Sequence, residues 1–227
     1  MAAPGTNAWN RLRYTLYSPV YDQLVGRLGP FTRGRRRAFE LAALQPGERL
    51  LLVAAGTGLD LPLLPPGVDV TAVDITPAML HRLQARAGRL GRPAHAVVMD
   101  AARLAFPDAS FDCVALHLAL AVVPDPAATA REAARVLRPG GRVSLFDKFL
   151  PRGRRASPLR RLVSAAADLI ASDLNRRLEP LLEQAGLRLT TLEPVGFAGN
   201  FVAARAEKPA DAPRGTPHGP PRTTESA

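Results

Sequence analysis

The sequence predicts an α/β fold, a doubly wound and mostly parallel sheet with helices on both faces and an N-terminal helical cap. Three observations predict it. Short apolar runs alternate with helix-length amphipathic segments from about residue 45 to 207. The runs are continuous rather than alternating, as strands buried on both faces require. The first of them leads into a small-residue turn, Ala54-Ala55-Gly56-Thr57-Gly58. Strand, helix and strand in that order imply right-handed crossovers.

The elements follow in order. Periodicity predicts helices over 7–28 and 31–44, broken by Ser18-Pro19 and Gly29-Pro30, as a cap of residues 1–44. After the turn Gln45-Pro46-Gly47-Glu48, the first strand is 49–54 and the second 68–74. A helix to about Arg89 starts at Thr76-Pro77, with threonine at the N-cap and proline at N1. Strands are expected at 95–100 and 111–118, an alanine-rich helix at 126–137, and a fifth strand at 142–149 after Arg138-Pro139-Gly140-Gly141. Apolar residues at helical spacing predict an amphipathic helix over 157–178. Pro180 restarts a short helix, and strands at 187–192 and 200–206 complete a domain of 45–207. From about Lys208 the residues are too poor in apolar surface to order themselves, so 208–227 is expected to be a disordered tail.

Composition narrows the function classes. At 227 residues, one domain is expected, and the single Cys113 excludes an internal disulfide framework and a cysteine-rich metal site. No metal is expected. No apolar run reaches the roughly 18 to 20 residues of a membrane span, and no secretory signal is visible, so a cytoplasmic protein is expected. The formal charge of +10 comes almost wholly from arginine, Lys148 and Lys208 being the only lysines. It reads equally as a composition bias or as a functional basic face.

The chemistry concentrates at three strand ends. The turn 54–58 lets a ligand lie against bare backbone. Asp74 closes the second strand, sixteen residues after Gly58, where a carboxylate can accept from both hydroxyls of a ribose. Asp100 closes the third strand, placed to accept from an adenine amino group. Nothing here binds phosphate, and Gly58-Leu59-Asp60-Leu61 offers an acid where a diphosphate would want a helix N-terminus or a base. A phosphate-free nucleoside is therefore expected.

These residues resemble the class I S-adenosylmethionine-dependent methyltransferases, in particular bacterial phosphatidylethanolamine N-methyltransferases and quinone-biosynthesis C-methyltransferases. The resemblance runs from about Tyr14 to Lys208. It is carried by Tyr21-Asp22, the turn 54–58, Val73-Asp74-Ile75-Thr76-Pro77-Ala78-Met79-Leu80, Met99-Asp100-Ala101, Phe106-Pro107-Asp108-Ala109-Ser110-Phe111-Asp112 and Val136-Leu137-Arg138-Pro139-Gly140-Gly141. It implies a Rossmann-like sheet of seven strands, the last antiparallel, with S-adenosyl-L-methionine as cofactor. Carried over, it implies that Ala54, Ala55, Gly56, Thr57 and Gly58 pack against the methionine and ribose part and that Asp74 holds the ribose. Ile75 and Met79 would line the adenine, Asp100 and Ala101 would contact its edge, and His117 would lie beside the sulfonium. The chain departs from the family's first motif at Leu52, where an acid is usual, and at Ala54, where glycine is usual.

Transfer from a sulfonium is an in-line displacement, so positioning and exclusion of water dominate. An amine acceptor must lose a proton. His117 is the expected base, with Tyr21 as a second catalytic candidate, and a core histidine is the competing reading. Tyr14, Tyr17, Tyr21 and Lys148 are expected on the acceptor side, the tyrosines either as part of an aromatic cage or packed onto the sheet edge. The basic clusters Arg33, Arg35, Arg36, Arg37 and Arg152, Arg154, Arg155, Arg160, Arg161 read as a rim for an anionic membrane or as a solvated surface. The expected acceptor is a phospholipid amine headgroup. A quinone ring, a degenerate noncatalytic nucleotide binder and a nicotinamide dehydrogenase are the alternatives. Nucleic acid is disfavoured because Leu116-His117-Leu118-Ala119 replaces the proline-containing motif of base-amino methyltransferases.

Overall fold

The computed structural model describes residues 6–21, 29–149, 177–196 and 201–210. The expected helix over 157–178 up to residue 176, the arginine cluster of 152–161 and most of the expected tail lie outside the described residues.

The elements are α1 (Asn7–Tyr21), α2 (Gly29–Ala42), β1 (Arg49–Val53), β2 (Asp69–Asp74), α3 (Pro77–Leu90), β3 (Ala94–Val98), β4 (Phe111–His117), α4 (Pro126–Val136), β5 (Leu137–Asp147), α5 (Leu178–Gln184), β6 (Arg188–Val195) and β7 (Phe201–Glu207). One sheet holds all seven strands in the order β3-β2-β1-β4-β5-β7-β6. β1 to β5 pair in parallel, and β7 runs antiparallel to both β5 and β6. The strand order reverses between β1 and β4, which puts the switch point, where open α/β sheets bind ligands, beside the turn that follows β1.

Alternate residues of the central strands feed two cores, as the two-residue strand period dictates. Leu51, Val53, Val114, Leu116, Val143 and Leu145 pack with α4 and α5 on one face. Leu50, Leu52, Val70, Ala72, Cys113 and Ala115 pack with Phe39, Leu80 and Leu83 on the other. Helix α2 contributes Phe39 and Ala42 to this second layer. Gly34 lies so close to Phe146 that a Cβ there would stand 2.1 Å from its Cε2, and Ala38 is fully buried against Phe146, Phe201 and Ala203.

Three local expectations change. Helix α1 continues through Ser18-Pro19 to Tyr21. Proline removes one hydrogen bond, to a carbonyl a turn earlier, and so near the helix end the loss interrupts little. Strand β5 begins at Leu137, not at Arg142, because the Pro-Gly-Gly stretch stays paired across a register shift, with Gly140 taking φ 73°. Gly140 N–H donates to the Lys208 carbonyl and Lys208 N–H to the Gly141 carbonyl, both at 2.9 Å. Lys208 therefore closes the sheet instead of opening a tail, and its Nζ donates to the carbonyls of Ala134 and Leu137. Thr76 is the N-cap of α3 as expected, but its side chain makes no capping bond. The Asp74 carboxylate accepts the Thr76 N–H instead.

Candidate active site

The three strand ends meet in one cleft with two contiguous parts. The first has about 500 Å³ of open space and is lined by the turn residues Ala54, Ala55, Gly56 and Thr57, by Leu59, Asp60, Asp74 and Met79, and by Arg35, His117 and Tyr14. The second, about 430 Å³, is lined by Asn7, Asn10, Ile75, Met99, Asp100 and Ala101. Tyr14, Ala54, Asp74 and Val122 line both. A ligand spanning the two parts must pass Asp74 at its middle, which is the order adenine, ribose and amino acid demand.

Asp74 is nearly buried. Its Oδ2 accepts the Gly56 N–H at 2.9 Å and its Oδ1 the Thr76 N–H at 2.8 Å. Each oxygen keeps a lone pair for a ribose hydroxyl. Burial raises the carboxyl above its usual range, opposed by these backbone donors. Asp100 Oδ1 accepts the Ala102 N–H, and Oδ2 accepts the Asn7 side-chain amide at 2.6 Å. Helix α1 thus closes over the second part of the cleft, a contact that sequence spacing did not reveal. Asn10 anchors the same helix by donating to the Val122 carbonyl at 3.0 Å.

The turn is strained where the family departure falls. Gly56 has φ 55° and Gly58 φ 76°, but Ala54 also sits at φ 53° and Leu118, just after β4, at φ 56°. Left-handed backbone at two non-glycine residues beside one cleft is a feature of sites whose surroundings enforce it. Gly58 does not line the cleft. Its missing side chain makes room for Leu83 Cγ, 2.8 Å from where a Cβ would sit. Leu52 is 1% exposed and packs in the apolar core with Leu61 and Phe39, so it neither blocks the cleft nor touches a ligand in it.

His117 does not offer a free nitrogen to the cleft. Nδ1 lies 2.7 Å from Asp60 Oδ1 and Nε2 lies 3.0 Å from Ser144 Oγ, and the side chain is 1% exposed. The ring also packs on Phe39, with centroids 4.5 Å apart. A direct transfer from acceptor to this ring, as the sequence reading expected, has no open position. Arg35 approaches the same carboxylate oxygen, its Nε 3.5 Å from Asp60 Oδ1. Burial pushes the Asp60 carboxyl up, but His117 and Arg35 more than offset it, and the group lies below its usual range.

Of the acceptor-side candidates whose side chains are described, Tyr14 lines the cleft. The side chains of Tyr17 and Tyr21 lie outside the described residues. Lys148 lies off the cleft, its Nζ 5.7 Å over the Phe201 ring, and burial lowers its pKa. The first basic cluster is not uniform either. Arg33 and Arg36 are exposed, Arg35 is buried, and Arg37 is paired with Glu193 and Glu40. Among the described residues no group of His, Cys, Asp and Glu could hold a metal ion, and no helix is long and apolar enough to cross a membrane.

Fold and site together define a class I S-adenosylmethionine-dependent methyltransferase. The sequence matches the family described as Methyltransferase domain over residues 51–145. It is similar to the phosphatidylethanolamine N-methyltransferase of Cereibacter sphaeroides, 37% identical over 83% of this chain and 93% of that one. It is also similar to the demethylmenaquinone methyltransferase of Thermus thermophilus, 36% identical over 57% of this chain and 61% of that one. Geranyl diphosphate C-methyltransferase of Streptomyces coelicolor, solved with S-adenosyl-L-homocysteine, shares the fold with a TM-score of 0.65 at 15% identity, covering 77% of this chain and 79% of that one. The chain belongs to the S-adenosylmethionine-dependent methyltransferases, and S-adenosylmethionine is its cofactor.

Proposed function

We propose that this methyltransferase acts on the amine headgroup of a phospholipid. The observation that carries the reading is near-full-length similarity, at 37% identity, to a phosphatidylethanolamine N-methyltransferase. The surface around the cleft supports it. Helix α1 lies over the adenine end and exposes Leu12 and Leu16, 51% and 70% accessible and one helical turn apart. Exposed Arg11, Arg33 and Arg36 lie on the two N-terminal helices. An apolar edge flanked by arginine suits peripheral contact with an anionic membrane, from which a lipid headgroup could enter.

The cofactor supplies an activated methyl group on a sulfonium. The chain's residues supply position. Asp74 fixes the ribose, Ile75, Asp100 and Ala101 bound the adenine, Met79 lines the first part of the cleft beside Asp74 rather than the adenine part, and the bare backbone of Gly56 allows close approach. Tyr14 borders both parts of the cleft and presents an aromatic face to a cationic centre. Attack requires the free-base amine. With both nitrogens of His117 engaged, we assign that ring the alignment of Asp60, and deprotonation of the headgroup to water before it enters.

Methyl-labelled cofactor offered with vesicles of phosphatidylethanolamine, or with a demethylated quinone, tests the reading. Label in the lipid headgroup supports it. Label in the quinone alone favours the second reading, which rests on the similarity to demethylmenaquinone methyltransferase. Cofactor binding with neither labelled would contradict both.

A further inference from the structure

The departure at Leu52 leaves the zwitterionic end of the cofactor without its usual partner, and the structure offers a replacement. Leu52 is sealed in the apolar core and cannot reach the cleft. With adenine beside Asp100 and ribose at Asp74, the amino-acid end must fall in the first part of the cleft, away from Asp74. Among the described residues, the charged side chains there besides Asp74 are Arg35 and Asp60, one of each sign.

Neither is satisfied as an ordinary buried ion pair would be. Arg35 is 4% exposed, and among the described residues its Nε has no hydrogen-bond partner. Its separation of 3.5 Å from Asp60 is long for a charge-assisted bond, which is normally about 2.7 to 2.9 Å. The guanidinium stands 5.9 Å over the Phe146 ring. On Asp60, Oδ1 takes both contacts, from His117 and Arg35. Among the described residues none reaches Oδ2. Burying two charges without filling their hydrogen-bonding positions is costly, and the cost falls when a ligand fills them.

We infer that Arg35 and Asp60 are the recognition pair for the amino-acid end of the cofactor, the guanidinium taking the α-carboxylate and Asp60 the α-ammonium, in place of the acid missing at Leu52. His117 and Ser144 then act as positioning residues. The bond from His117 Nδ1 holds Asp60 Oδ1 so that Oδ2 faces the ligand, and Ser144 Oγ fixes the ring from behind. The assignment rests on the cleft's being the S-adenosylmethionine site.

Calorimetry on the whole protein tests it with three ligands. S-Adenosylhomocysteine carries the complete amino-acid end, decarboxylated S-adenosylmethionine lacks the carboxylate, and 5′-methylthioadenosine lacks both groups. The wild type is expected to bind S-adenosylhomocysteine at least about 100-fold more tightly than methylthioadenosine, from one charge-assisted contact at each end. Arg35→Gln is expected to weaken S-adenosylhomocysteine by about 10- to 100-fold and to leave the other two ligands unchanged. Asp60→Asn is expected to weaken both ligands that carry the ammonium. Unchanged methylthioadenosine binding reports that each variant is folded, and the wild-type comparison needs no variant at all. Equal wild-type affinity for methylthioadenosine and S-adenosylhomocysteine overturns the pair while leaving the nucleoside cleft intact. Binding of none of the three overturns the cleft assignment itself.

Discussion

Replacing Ala54 with glycine is expected to stabilise the protein and to tighten cofactor binding together, an unusual pairing for a change at a site. Ala54 holds φ 53°, a conformation costing an L-residue about 1–2 kcal/mol. Glycine removes that strain but adds about 0.5–1 kcal/mol of unfolded-state freedom. The net is a gain of about 0.5–1 kcal/mol, which at a urea m-value of about 2 kcal/mol/M moves the unfolding midpoint up by about 0.3–0.5 M. Ala54 also lines both parts of the cleft, with Asp74. Relieving a one-methyl overlap worth about 1 kcal/mol raises affinity for S-adenosylhomocysteine by about fivefold. Gly56 has nearly the same φ, 55°, and open space where a Cβ would stand. Gly56→Ala is therefore the mirror experiment, with a loss of about 1 kcal/mol and weaker binding. Urea titration and calorimetry read both quantities. A lower midpoint for Ala54→Gly with unchanged affinity would refute the claim that this backbone is strained and in contact with the ligand.

Other consequences are as direct. Asp147 is fully buried, and burial raises its carboxyl to about 6. A pKa raised in the folded state adds stability that is complete below about pH 3.8 and lost as pH rises through about 6, about 3 kcal/mol in all. The stability difference between wild type and Asp147→Asn, from urea unfolding, is expected to shift against the wild type by about 2 kcal/mol between about pH 4.5 and about pH 7.5. A pH-independent difference would contradict that pKa. Gly34→Ala drives a methyl into Phe146 and is expected to cost at least about 1–3 kcal/mol. Thermal unfolding indistinguishable from wild type would show that α2 does not press on β5. The Cys113 thiol is buried and pushed up to about 12 by burial. A thiol reagent is expected to label it only after unfolding, and labelling of the native protein at the rate of a free thiol would contradict its placement.

The fold was legible because its signals are local and repeated. Apolar runs at 49–53, 111–117 and 201–207 lie at or near the ends of turn signals; the two-residue period of the first two feeds both cores, and that of the third feeds the first core and the cluster of Phe201 and Ala203 with Phe146. Asp74, Ala54, Gly56, Asp100 and Ala101 converge for a related reason, since each is fixed by the end of a parallel strand or the turn after it. Arg35 and Asp60 were harder to see. Arg35 sits among four arginines spaced too closely for sequence to say which one points inward, and only packing of α2 on Phe146 selects it. Asp60 was visible as an acid near the turn, but its pairing with His117 spans 57 residues. The bond from Asn7 to Asp100 spans 93, beyond any periodicity. His117 was read as a base from its place at a strand end; the partners on both nitrogens come from Asp60 beyond the turn and from the middle of β5.

Cofactor recognition as proposed requires a cleft shaped for adenosine without phosphates. Parallel calorimetric titrations of the wild-type protein with S-adenosylhomocysteine and with NAD measure this most directly. One-to-one binding of S-adenosylhomocysteine in the micromolar range, with no binding of NAD, is the predicted result. No heat from S-adenosylhomocysteine at millimolar concentration, or tighter binding of NAD, would contradict it.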